Sequence, residues 1–188
     1  KTLFYLIDVL EYTKRYSLEE KVIQSLDFMA EMILKNDQIF HYYSISEKKW
    51  LQSGNLPGYA NSAKLFFKAA KKFQNIRYHE VAIKILSLSK ARYYDAEKMI
   101  FFDPSVDILE DVEYLMEING LFAQMMLDME IRESTNEGHQ YQVEPMISYF
   151  SAINEMLEDQ IWDAENWKFA ELYVPYLRAV HKYLASRE

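Results

Sequence analysis

The sequence predicts an all-α protein made of stacked αα-hairpins, with short strand-like segments between the hairpins. Three observations carry this. Gly and Pro number only four each in 188 residues, which suits a helix-rich chain with few tight turns. Apolar residues recur at helical spacing along most of the chain, but the spacing shortens to β-like alternation around Asp37–Asn61 and again around Met99–Phe102. The pattern also repeats: LFYLIDVLEYTKRYSLEEKVIQSLDFM from Leu3 lies over AKLFFKAAKKFQNIRYHEVAIKILSLS from Ala63, and NGLFAQMMLDM from Asn119 opens a third copy, at offsets of 60 and 56 residues.

The first helix carries Leu3, Leu6, Ile7, Leu10 and Tyr12 and ends near Arg15-Tyr16. Ser17 with Glu20 has the spacing of a capping box, which predicts that a second helix starts there. Its stripe is Val22, Leu26, Met29 and Ile33, and it ends near Lys35. Gly54, Pro57 and Gly58 then fall within five residues and mark a joint between helix pairs. A third helix is expected from Asn61 or Ser62 through Leu65, Phe66, Ala69, Ala70 and Phe73. A fourth runs from Ile76 to about Tyr93 through Val81, Ile85 and Leu88.

The apolar run Met99–Phe102 is stopped by Asp103-Pro104, because proline cannot continue a regular ladder. A fifth helix is expected over 109–132, with Gly120 inside it costing about 1 kcal/mol against alanine. Pro145 suits the first turn of a sixth through Ile147, Phe150, Ile153 and Leu157, and a seventh spans 164–185 with a bend near Pro175. Each hairpin is too small to bury its own apolar face and closes against the next.

Length and composition set further bounds. A chain of 188 residues supports one sizeable core, so residues 1–188 are expected to form a single repeat domain. The formal charge of −8 without a long basic run argues against nucleic-acid binding, which needs clustered Lys and Arg against phosphate. Without cysteine there are no disulfides, thiolate metal sites or thiol nucleophiles, and the compartment stays open. KTLFYLIDVL is interrupted by Asp8 and reads as a core helix rather than a signal sequence, and no apolar stretch approaches the roughly 18 to 20 residues of a membrane span. A start at Lys1 without Met suggests an excised domain or a processed chain.

The run NLPGYANSAKLFFKAAKKFQNIRYHEVAIKIL, followed by YYDAEKMIFFD and EINGLFAQMMLDM, resembles the helical C-terminal portion of the spermatogenesis-associated type of thioredoxin-domain protein, over roughly residues 55 to 185. That portion is a six-hairpin glycosidase-like α/α toroid, so the resemblance implies that this chain forms part of a toroid. Where the family has Gly-Leu-acidic-acidic-Tyr-Ala, this chain has Pro57-Gly58-Tyr59-Ala60-Asn61, without the acidic pair. Tyr94-Asp95-Ala96-Glu97 and Phe101-Phe102-Asp103 follow the second family pattern without its glycines. About seven helices, against the twelve of a full ring, imply an arc whose end faces are covered by the rest of a longer parent chain or by a homodimer.

In such toroids the inter-hairpin loops line the cavity, which makes His41, Tyr42, Trp50, Tyr59, Asn61, Asp103, Asp107 and Asn119 the candidate cavity residues. Rings that stack on sugar faces and paired carboxylates are what a carbohydrate site needs. The competing readings are structural: Phe40, Tyr42 and Trp50 pin a small hairpin, and Asp103 and Asp107 cap a helix start. His41, His79, His139 and His181 have no partner at ligand spacing, so no metal site and no cofactor is expected. The acidic run Glu110, Asp111, Glu113, Glu117 reads as a solvated face, and the nine methionines as core filling.

No phosphate loop, nucleophile elbow or dinucleotide fingerprint occurs. The sequence therefore points first to a helical-repeat interaction or scaffold module with a protein partner. A carbohydrate-binding or carbohydrate-active toroid is the alternative.

Overall fold

The computed structural model describes residues 2–13, 15–44, 46–97, 100–103, 117–123 and 125, together with 177, 178, 181 and 185. The sixth expected helix, and most of the fifth and seventh, lie outside the described residues. The rest is mostly helical, in the order α1 (Thr2–Tyr12), α2 (Tyr16–Asn36), β1 (Phe40–Ser44), β2 (Lys49–Ser53), α3 (Leu56–Phe73), α4 (Ile76–Tyr93), β3 (Tyr94–Asp95) and β4 (Ile100–Phe101). A helix pair followed by an antiparallel strand pair thus occurs twice. Two compact units divide the chain, Lys1–Arg92 and Tyr93–Glu188.

Within the first unit the contacts fix the direction of each helix. On α1 and α3, Lys64 and Lys68 lie over the Phe4 ring, Lys68 pairs with Asp8, and Lys72 donates to the Leu10 carbonyl at 3.3 Å. The contacts advance together along both helices, so α1 and α3 run parallel. On the other pair, Tyr78 donates to Asp27 at 3.0 Å, and Lys84 meets the Asp37 carboxylate at 2.7 Å, so α4 runs parallel to α2. Between them sits a core of Ile7, Val22, Leu26, Leu56, Tyr59, Phe66, Tyr78, Val81 and Ile85, all essentially buried. Burying side chains of this size contributes about 1.5–3 kcal/mol each.

Three boundaries correct the sequence expectations. First, α1 stops at Tyr12, short of Arg15-Tyr16. Second, Ser17 lies inside α2, whose N-cap is Arg15 without a side-chain cap bond, so the Ser17–Glu20 capping box does not form. Third, α3 starts at Leu56 rather than Asn61: the Asn55 side chain accepts the Gly58 N–H at 3.2 Å, and Pro57 occupies the first turn, where its missing N–H costs nothing. What reads as a Pro-Gly break is a capped helix entry.

The β-like alternation after α2 is a hairpin, with Tyr42 opposite Leu51 and Tyr43 opposite Trp50. Its base is closed by Gly54 N–H donating to the Ile39 carbonyl at 2.7 Å, and the Ile39 N–H donates to the buried Tyr59 hydroxyl at 3.3 Å. In the second unit, β3 and β4 form a short ladder, Phe101 stacks on Phe122 at 4.1 Å, and residues 117–123 are helical.

Candidate functional site

A concavity of the first unit lies where the N-terminal turns of α1 and α3 come side by side. Thr2, Leu3, Phe4 and Tyr5 from α1, Met29 from α2, and Asn61, Ser62, Lys64 and Leu65 from α3 line a space of about 390 Å³. Leu3 and Met29 belong to the apolar stripes of their helices, whereas Thr2, Asn61, Ser62 and Lys64 bring two hydroxyls, an amide and an ammonium to the same rim. The Asn61 amide is oriented by donating to the Pro57 carbonyl at 2.8 Å. The Lys64 ammonium lies over the Phe4 ring, 5.1 Å from its centroid.

This groove continues into the outward face of α1. Tyr5, Val9 and Tyr12 fall at i, i+4 and i+7, on one side of the helix, and are 65%, 41% and 86% exposed. Ile7 and Leu10 on the opposite side enter the core. An amphipathic helix normally turns its apolar stripe inward and charges outward, whereas these two tyrosines and a valine form an apolar stripe on the outward side of α1. Alongside it runs the row Lys64, Lys68 and Lys72 of α3, brought there by the parallel pairing of the two helices.

The residues singled out by sequence are placed as follows. Asn61 lines the groove. Tyr59 is fully buried, with its hydroxyl on Ile39 and its ring 5.5 Å from the Arg92 guanidinium. Asn119 is fully buried in the second unit, accepting the Phe101 N–H and donating to the Phe101 carbonyl, both at 2.7 Å. His41 and Tyr42 lie on β1 and Trp50 on β2. Asp103 follows β4 and is half-buried, and Asp107 lies outside the described residues. The tyrosines and lysines of the α1–α3 face were missed, although the overlay of Leu3 on Ala63 held the signal that these helical starts are neighbours.

Two tyrosines have displaced acidities. Burial raises the Tyr78 hydroxyl well above the usual phenol range, and its hydrogen bond to Asp27 and the Asp27 charge add to this, against a small opposing effect of Arg77. Burial, then the Asp95 charge, raises Tyr94. Both rings are structural at neutral pH. The His79 ring packs edge-on against Phe67, with its Nε2 buried and unpartnered among the described residues. No group of three His, Asp or Glu among the described residues could hold a metal ion, and no helix among them is long and apolar enough to cross a membrane.

The chain matches no protein-family model, no curated protein and no solved structure.

Proposed function

We propose that the chain is a helical-repeat interaction or scaffold module, without catalytic activity of its own, that recognises a protein partner through the outward face of α1. The single observation behind this is the exposed stripe Tyr5, Val9, Tyr12 beside the groove at the start of α3. Tyrosine suits such a role, since it offers a large rigid contact area with a polar tip and loses little side-chain entropy on binding. The parallel pairs α1–α3 and α2–α4, spaced by the repeat, are what an arc of an α/α toroid would contain. In that reading α1 is an end face, covered by the rest of a longer parent chain or by a separate protein.

The second reading is a carbohydrate-binding or carbohydrate-active toroid. It is favoured by the groove alone, where hydroxyls, an amide and the exposed Tyr5 ring share one rim as sugar recognition requires. Capture of partners by the immobilised chain separates the two. The interaction reading expects capture by the wild-type chain and its loss with Tyr5→Glu and Tyr12→Glu together; equal capture by both chains contradicts it. Calorimetric titration with a panel of oligosaccharides, giving heat that disappears with Asn61→Ala, would instead establish the sugar reading.

A further inference from the structure

The two compact units differ sharply in charge. Lys1–Arg92 carries 15 Lys and Arg against 9 Asp and Glu, a net +6, whereas Tyr93–Glu188 carries 6 against 20, a net −14, and the two account for the −8 of the chain. The small overall charge therefore conceals an uneven division of charge between the two units. The first unit, the positive one, also carries the exposed apolar stripe of α1. Lys71 is exposed on α3, Lys72 donates to the Leu10 carbonyl, and Lys64 lines the groove with its ammonium over the Phe4 ring. Tyr5 shares the groove with Lys64, and Tyr12 is exposed on the same side of α1 as Tyr5.

We propose that this face binds the acidic unit of a second copy, so that the protein associates head to tail. The proposal rests on the reading of the chain as an interaction module and names its partner. Charge selects the geometry: basic face on basic face, and acidic unit on acidic unit, both place like charges together, while basic on acidic is the attractive arrangement and steers encounter over a Debye length of about 10 Å at 0.1 M salt. Electrostatics alone gives weak, strongly screened contacts, and the tyrosines supply the desolvated apolar area that turns an encounter into a complex.

The test is a zero-length carbodiimide coupling of amines to carboxylates in a mixture of isotope-labelled and unlabelled full-length chains, read by mass spectrometry. Mixed-isotope links from Lys64, Lys71 or Lys72 to carboxylates of residues 93–188 are expected, and they should fade as salt rises from about 20 to about 500 mM, where screening shortens the reach of each charge. Lys71→Glu, at an exposed position that the fold tolerates, should deplete the mixed links several-fold. Links confined to single copies, or mixed links indifferent to salt, overturn the proposal. Should copy-to-copy links be missing while capture of another protein still depends on Tyr5 and Tyr12, the second-copy proposal falls and the interaction reading stands; loss of both removes both.

Discussion

The side-chain amide of Asn119 brackets a single residue of the preceding strand, accepting the Phe101 N–H and donating to the Phe101 carbonyl at 2.7 Å each. Phe101 sits on β4 of a two-stranded ladder, and among the described residues its outward backbone groups have no third strand to bond. Asn119 takes that strand's place with one side chain. The same device recurs in the first unit, where Tyr59 receives the Ile39 N–H, and the two residues are 60 positions apart in the chain. In both units the helix that follows a hairpin holds that hairpin by its backbone.

Asn119→Ala should therefore cost about 2–6 kcal/mol, since a buried donor and a buried acceptor each lose a partner at about 1–3 kcal/mol. Asn119→Asp should cost at least as much, because a carboxylate accepts the N–H but repels the carbonyl. Hydrogen exchange at the Phe101 amide reports this directly: protection should fall in both variants, and unchanged protection would mean that the bracket contributes nothing.

At the first hairpin, Gly54→Ala should destabilise by about 1–3 kcal/mol through overpacking. A Cβ there would lie 3.1 Å from both the Ile39 Cγ2 and the Ile39 carbonyl oxygen. That oxygen cannot retreat, since it accepts the Gly54 N–H, and Ile39 is buried. Urea unfolding followed by circular dichroism should show a lower midpoint for the variant.

The Tyr78 phenol gives a pH signature. Its folded pKa is raised, so in the alkaline window above the ordinary phenol value near 10 the unfolded chain loses the proton first and unfolding is favoured. Stability from this group is complete below about pH 10 and declines as pH rises, by up to about 1.4 kcal/mol per pH unit. Thermal unfolding between about pH 8 and 11 should show that decline, and Tyr78→Phe should flatten it while costing about 1–3 kcal/mol at neutral pH through the lost hydrogen bond to the Asp27 carboxylate. An equally steep decline in the variant would assign the effect elsewhere, with Tyr94 the next group to replace.

How much of this was legible in the sequence follows from which forces act locally. The end of α4 and the hairpin after α2 could be read because apolar spacing changes there from 3.6 to 2, a signal carried by neighbouring residues. The entry to α3 could not, because Pro57-Gly58 serves a turn and a first helical turn equally well, and the Asn55 cap decides between them. Ser17 and Glu20 had the right spacing for a cap, but α2 already begins at Tyr16. Of the candidate cavity residues of the first unit whose side chains are described, Asn61 lines the groove, while Tyr59 is turned inward by the helix that contains it. The groove itself joins Thr2–Tyr5 to Asn61–Lys64, segments sixty residues apart, and only the repeat hinted that they meet.

The central claim is that the outward face of α1 is a recognition surface. Hydroxyl-radical footprinting of the full chain, free and with its captured partner bound, tests it most directly because it reads the tyrosines themselves. Tyr5 and Tyr12 should be modified readily in the free chain and protected in the complex, while the buried Tyr59 and Tyr78 stay unmodified in both. Equal modification of Tyr5 and Tyr12 in the free and bound states would contradict the claim.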